Sequence, residues 1–489
     1  MNLFHNIQKP AVLIAALLSF FNSFAHAEYD SISPPDFQKF LTQYQAKPSL
    51  LREQPELLKA LNKDQLSEAI ESLGLDHFHY LHPVVIKGDQ FPKLVGRNSS
   101  DISLATVRGG KLISVPSQID DLDTSGWIYV EGQSSNPLTG TQGVFDSTDE
   151  LIFMYRDTGS KQYIDTIPNA TGGEVVQELV FTDNKNQQRY AYVINKAKQL
   201  STVDYVSFDL EQGKADTTFY NFKVDPNNVL DFQDFKANVG DWQDHRLLDA
   251  IFFEINTGIF SRWTTISLDN FNNFEATPVA VIDGPIRAAV LLKIWVKYGN
   301  IPLMRIWGQL NVYDQSLAIP LKIEIPGGDI LAKTLVDPKI DFLLDFNGYE
   351  GARIAASGTP EGQFGVVDGV MSDFEKNADM SNDQPWLWME SGHSWDLFAT
   401  AQIPKSWPAK LSLAYLDDFD DEVENENFPG AWPRAGFRVS ELPTDSLDIS
   451  LNIDLRFPDT VGKAGPHEFA KLALNPPVLQ VQEFKLAVQ

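Results

Sequence analysis

Val115 to Gly159 reads VPSQIDDLDTSGWIYVEGQSSNPLTGTQGVFDSTDELIFMYRDTG, and the reading of this stretch decides the fold. Two runs with strand character, one around Ile119 and one from Leu151 to Met154, flank a loop rich in Gly, Ser, Asn and carboxylates. Apolar runs separated by turn chemistry predict a β-hairpin with a long connection. Such a loop either closes around a cation or presents a polar surface to a ligand. Asp121, Asp123, Ser125, Gly126 and Ile128 fall where a calcium loop places its early oxygen ligands, its turn glycine and its apolar anchor. The pattern then departs, because Gly132 stands where the bidentate Glu belongs and no helices flank the loop. That excludes an ordinary EF-hand and leaves a calcium-binding β-loop completed by Asp146, Asp149 and Glu150. The competing reading is a solvated acidic turn, which Asp, Ser and Gly favour on their own.

Working outward, the same period of two persists from Val84 to Leu455. Strand runs are expected at Val84 to Ile86, Ile102 to Val107, Leu112 to Val115, Val175 to Phe181, Arg189 to Ile194, Thr202 to Leu210 and Thr217 to Val224. The series continues at Leu248 to Ile255, Arg262 to Leu268, Thr277 to Ile282, Ile286 to Val296, Met304 to Tyr313 and Leu317 to Ile325. It ends with Ile340 to Phe346, Leu397 to Ile403, Leu411 to Tyr415, Phe437 to Val439 and Asp448 to Leu455. Short strands with little helix between them predict a mainly β fold: one large antiparallel β-sandwich or two abutting ones. A division near Asn270 to Asp283 is expected from the polar run DNFNNFEAT, giving halves 77–275 and 276–489. Residues 28–76 read differently. Phe37, Phe40, Leu41 and Tyr44, then Leu57, Leu58, Leu61, Leu66, Ile70 and Leu73, keep helical spacing. A short N-terminal α-helical segment is therefore expected, packed on the main body or, over 33–75, docking a protein partner.

Residues 1–27 carry one positive charge at Lys9, an apolar run and the small-x-small end Ala25-His26-Ala27. This predicts a cleaved signal peptide and a periplasmic or secreted protein. No later stretch holds the roughly 18 apolar residues of a spanning helix, so no membrane span is expected after cleavage. The absence of cysteine, 0 in the chain, removes thiol catalysis, zinc–cysteine sites and iron–sulfur clusters. The net charge of −27 repels nucleic acid and anionic membranes. It also makes an acidic polysaccharide an awkward ligand unless a local basic patch or a bridging cation intervenes.

Trp386-Leu387-Trp388-Met389-Glu390 alternates cleanly, which puts both indoles and the carboxylate on one face of a strand. Indoles stack on the apolar faces of sugars and carboxylates fix hydroxyls, so Trp386, Trp388, Glu390 and Trp395 are candidate glycan-binding residues. The same alternation suits a core edge filled by Trp. Glu390, His393, His245 and Arg287 are the candidates for acid–base or charge-stabilising work. The acidic run Asp417 to Glu422, and the histidines His77, His79 and His82, have no ligand spacing and read as solvated loop and strand entry.

Ile113-x-Val115-Pro116-x-Gln118-Ile119-Asp120, then Asp146-x-x-Asp149-Glu150-Leu151-Ile152-Phe153-Met154 with Asp157 and Gly159, then Asp283-Gly284-Pro285-Ile286-Arg287, resembles exported bacterial β-sandwich proteins. Some of these sit in polysaccharide-utilisation systems and are similar to the galactose-mutarotase-like supersandwich. The resemblance implies a large sandwich whose concave face binds carbohydrate. The expectation is a periplasmic or secreted protein binding a glycan or another polar ligand, with calcium as the one cofactor in view. A polysaccharide lyase or glycoside-processing enzyme is the alternative, and an envelope interaction protein a third.

Overall fold

The structure, a computed structural model, describes residues 37, 81–108, 111–161, 172–238, 246–324, 335–380, 383–390, 396–405, 409–419, 432–442, 448–458 and 465–485. The expected signal peptide, the expected N-terminal helical segment apart from Phe37, and His77, His79, His245, His393 and Trp395 lie outside the described residues. So do Trp242, Asp244 and most of the acidic run after Phe419. No described helix is long and apolar enough to cross a membrane.

The fold is mainly β and its named strand pairs are antiparallel, as the period-two reading requires. A nine-stranded sheet runs Phe274–Asp283, Ala288–Tyr298, Ile301–Tyr313, Ser316–Glu324, Asp448–Arg456, Leu397–Gln402, Trp386–Met389, Arg353–Ala356 and Gly365–Val366. A five-stranded sheet orders Thr265–Asp269, Leu248–Ile259, Leu335–Phe346, Arg434–Ser440 and Lys410–Leu416. A four-stranded meander covers Val206 to Ala237. A second five-stranded sheet joins Val478–Glu483 to Glu174–Thr182, Gln188–Asn195, Ile102–Arg108 and Lys111–Val115.

The expected division near Asn270 to Asp283 covers the turn Asn270 to Asn273, where the chain passes from one sheet to another, and the strand Phe274–Asp283 that opens the second. Hydrogen bonding nevertheless crosses it: Leu248–Ile259 pairs along its length with Leu335–Phe346, and Val478–Glu483 returns to Glu174–Thr182. One apolar cluster runs through these sheets, from Val84 and Phe153 through Phe235, Phe253 and Val290 to Phe437 and Leu455. Phe37 is buried in that same cluster, so at this point the N-terminal segment packs on the body.

The Val115–Gly159 stretch forms the hairpin. Gln118–Asp120 pairs with Glu150–Met154, which pairs in turn with Pro83–Lys87. The hairpin is fastened to the large sheet by buried charge. Arg287 Nη2 and Nε donate to Asp120 Oδ2 at 2.6 and 3.0 Å, and Nη1 lies 2.9 Å from Glu150 Oε2. Gln118 Oε1 accepts from the backbone of Ile286 and Arg287 at 3.2 and 3.0 Å, while its Nε2 donates to Asp120 at 2.8 Å. A Cβ on Gly284 would meet the Gln118 side chain at 2.3 Å, which is why glycine stands there. A second buried arginine, Arg156, pairs with Asp314 and lies 4.2 Å from the centre of the Tyr205 ring. The Tyr205 hydroxyl donates to Asp157 at 3.1 Å. Gly159 and Tyr190 exchange backbone hydrogen bonds of 2.8 and 2.9 Å, and a Cβ on Gly159 would strike Val107 O at 2.3 Å.

Gln118, Asp120, Glu150 and the turn from Gly284 to Arg287, all within the short motifs noted in the sequence, are thus the parts of one interlayer clamp. Burial pushes the Glu150 carboxyl upward, but Arg287 and Lys87 outweigh it and hold it below the usual range. Replacing Arg287 with Ala strands Asp120 in a dry interior and leaves Glu150 only Lys87, a change that typically costs about 3–5 kcal/mol. Arg287→Ala is expected to lower the urea midpoint accordingly. Arg287→Lys is expected to recover little, because an ammonium cannot span both carboxylates.

Candidate functional site

The pairing register defines the outer face of the nine-stranded sheet. Ile282, Ala289, Asn311, Ala318, Asp454, Thr400 and Trp386 are laterally opposed in turn and therefore share one face. That face is covered at both ends. At one end the loop following Asp120 lies on it, with Leu122 and Ile128 packed on Ala280, Ala289 and Leu291. Ile128 N donates to Gln309 Oε1 at 3.1 Å and Val281 N to Gln133 Oε1 at 3.2 Å, which ties loop to sheet.

At the other end the helix Gly465–Ala473 lies across the Trp386–Met389 and Leu397–Gln402 strands. Phe469 meets Phe398 edge-on at 5.1 Å and His467 meets Trp386 at 5.0 Å. Pro466, Phe469, Ala470 and Ala473 are its buried residues, and their helical spacing was present in the sequence but not read. This helix corrects the expected sugar platform. Trp386 and Trp388 are 4% and 1% exposed, so their indole faces fill the core instead of meeting solvent. Trp388 Nε1 donates to Asp396 at 3.3 Å, the partner a buried indole requires. Glu390, on the rim, forms a two-point ion pair with Arg353.

Farther along Ala288–Tyr298 and Ile301–Tyr313, two of the strands that the loop partly covers, the face carries a cross-strand quartet. Lys293 stands opposite Trp307, and Trp295 opposite Arg305. All four are half-buried. Lys293 Nζ lies 5.1 Å from the Trp295 ring centre and 5.9 Å from that of Trp307. The Arg305 guanidinium carbon lies 6.0 and 5.6 Å from the same rings. Lys322 flanks Trp307 on the next strand, and Lys297 is paired with Glu275 at 2.5 Å. Trp127 of the acidic loop is half-buried against the cluster that Trp307 also borders, so the loop walls the quartet on one side. The sequence reading missed this quartet. Its signal was the short turn between the Ile286 to Val296 and Met304 to Tyr313 runs, which fixes a hairpin register and brings Trp295 and Trp307 together.

The acids expected to hold calcium separate into three groups. Asp123 is used by its own loop: Oδ1 accepts from Ser125 N and Trp127 N at 2.8 and 3.0 Å, and Oδ2 from Asn136 at 2.9 Å. Ser125 is exposed and receives a bond from Asn136 at 3.3 Å. Glu150 belongs to the Arg287 clamp. Asp121, Asp146 and Asp149 remain. Asp121 Oδ2 accepts from Gly143 N at 3.1 Å. Asp146 and Asp149 share a turn in which Asp149 Oδ2 accepts from Asp146 N at 2.7 Å. Asp146 Oδ2 and Asp149 Oδ1 are buried without a hydrogen-bond partner. Burial, with Asp146 and Asp121 close by, pushes the Asp149 carboxyl up to about 7. Among the described residues, no three carboxylates or imidazoles are gathered into a set that could hold a metal ion by themselves.

Of the remaining candidates, Arg287 is buried with both edges engaged, and His245 and His393 lie outside the described residues. Asp417 caps a turn, accepting from Asp368 N and Gly369 N at 2.8 and 3.0 Å.

No family model matches this chain, and no curated protein matches it. Among solved structures it is similar to an α-mannosidase from Enterococcus faecalis V583, with a TM-score of 0.37 and 9% identity over 87% of this chain. The chain spans about half of that mannosidase, 49% of its length. A galactose 1-epimerase from Lactobacillus acidophilus NCFM aligns at TM-score 0.28 and 11% identity, over 58% of this chain and 99% of its own. A putative aldose 1-epimerase from Escherichia coli K12 aligns at 0.25 and 12%, over 52% and 98%. At these scores the likeness assigns no role to any residue.

Removing the Trp388 indole leaves a large cavity under Arg353 and takes one hydrogen bond from Asp396, so Trp388→Ala is expected to cost about 3–5 kcal/mol. Trp295→Ala removes a half-exposed ring and is expected to cost well under half as much in the same urea titration.

Proposed function

We propose that the protein is an exported, glycan-binding β-sandwich whose ligand lies on the outer face of the nine-stranded sheet, beside the acidic loop. The observation that carries this reading is the pair of half-exposed indoles, Trp295 and Trp307, fixed on adjacent strands with cations between them. Indoles offer flat apolar area at low conformational cost, and sugar rings have apolar faces that match it. Strands hold such a platform more rigidly than loops do. The reading rests on these side chains and draws nothing from the distant likeness to sugar-acting proteins. It assigns binding and names no reaction, since Arg287 and Glu390 are engaged by carboxylates and by Arg353. Docking of a partner through residues 33–75 has less support, because Phe37 lies in the common core.

Calcium belongs to the same reading as a brace for the loop. The two partnerless carboxylate oxygens of Asp146 and Asp149 are hard donors suited to it, with backbone carbonyls and water completing the shell. Thermal unfolding in calcium against chelator tests this: calcium is expected to raise the midpoint in the intact protein and leave Asp149→Asn unmoved. An unchanged midpoint in the intact protein removes the brace.

Affinity electrophoresis through gels containing soluble polysaccharides tests the platform. Trp295→Ala and Trp307→Ala are each expected to weaken retention of the folded protein by about tenfold or more on the glycan that is bound. Retention equal to the unmodified chain removes the platform.

A further inference from the structure

One cation on this face stands out. The chain has 39 Lys and Arg against 66 Asp and Glu, so carboxylates are in excess over the positive groups that could pair with them. Several of the described cations have such a partner: Lys87 with Glu150, Lys93 with Glu483, Lys214 with Asp216, Arg353 with Glu390 and Arg438 with Asp341. Lys293 does not. Among the described residues it forms no ion pair, and its neighbours are the Trp295 and Trp307 rings. Thr277 and Trp307 stand directly across from it on the adjoining strands. Arg305 sits against the same two rings. Glu275, the acid on the neighbouring strand opposite Trp295, is engaged by Lys297.

An ammonium over an indole is attracted by the ring quadrupole, but a neutral ring consumes none of its formal charge and leaves its N–H donors open. A stacking platform for a neutral sugar needs the rings alone. Rings with an ammonium set beside them also offer charge-assisted hydrogen bonds to an anionic substituent on the sugar they stack against.

We infer that the glycan bound here is an acidic one, whose carboxylate or sulfate groups are received by Lys293 while its rings lie on Trp295 and Trp307. The inference rests on the glycan-binding reading above and adds its ligand class. The overall charge repels such a polymer at a distance. At physiological ionic strength that repulsion is screened beyond about 8 Å, so the groups on the face itself decide close contact.

The test compares retardation in gels of polygalacturonate and of neutral galactan, and of dextran sulfate and dextran. It uses the full chain, Lys293→Gln, Trp295→Ala and Lys93→Gln, each checked for folding by circular dichroism. Retention on an acidic polymer at least about tenfold above its neutral counterpart is expected. Lys293→Gln should bring it down to the neutral level, and Lys93→Gln, which removes an equal charge elsewhere, should leave it intact. Retention on dextran sulfate alone would assign the anion as sulfate; retention on polygalacturonate would assign carboxylate. Equal retention on neutral and acidic polymers overturns the inference and leaves the platform standing. An equal loss in Lys93→Gln and Lys293→Gln also overturns it, since bulk charge then accounts for the effect. Failure of every polymer to retard the protein overturns the glycan reading itself.

Discussion

Arg287 sits in the protein interior with one carboxylate on each edge of its guanidinium, and the arrangement of the layers follows from that contact. Asp120 and Glu150 come from the two strands of one hairpin, whereas Arg287 opens a strand of the large sheet. A buried guanidinium tolerates no loose geometry, because each unpaired N–H or oxygen costs a desolvation it does not recover. The three side chains therefore fix the hairpin on the sheet in one position. Gln118 tightens the contact by reading the backbone at Ile286 and Arg287, and Gly284 makes room for it. Once the hairpin is held there, the loop leaving Asp120 packs Leu122 and Ile128 on the outer sheet face, beside Trp307. The clamp is structural in its own right and places the wall of the site.

Much of this was legible in the chain. Alternating apolar positions marked most of the strands, and Asp283-Gly284-Pro285-Ile286-Arg287 stood out before its partners were known. What alternation cannot convey is whether a face will later be covered by a distant part of the same chain. Trp386 and Trp388 do project to a common side, but Trp386 lies under a helix formed more than seventy residues later in sequence, and Trp388 packs against Phe364 and Arg353. Trp295 and Trp307 belong to runs that were read correctly, and only the register across the turn at Gly299 and Asn300 makes them neighbours. The long strand Asn228–Ala237 escaped because its register shifts break the period.

The acidic loop illustrates a related ambiguity. Carboxylates and a hydroxyl at alternate positions, followed by glycine, satisfy a cation and satisfy a turn equally well. In both cases the first acid bends the backbone around its own oxygen. The difference lies in what the oxygens accept from. Asp123 accepts from the backbone of its own loop and from Asn136, which completes it as a turn residue. Asp146 and Asp149 each keep one buried oxygen without a partner, although the turn they form is fully bonded in other respects. Spacing alone could not separate these cases, because both follow from the same short side chain.

The distribution of charge gives the outer face its meaning. A strongly acidic chain lowers its self-repulsion by setting cations beside carboxylates, and pairs across the strands do so. Lys293 instead stands across from Trp307 and Thr277, on strands long enough to have carried acids there. Cation–π contact at a half-exposed site is worth about 0.5–1 kcal/mol, no more than an exposed ion pair returns, so stability does not favour the substitution. What it changes is availability. Lys293 is held in place by rings that leave its charge uncompensated, beside aromatic surface that a stacked sugar can cover.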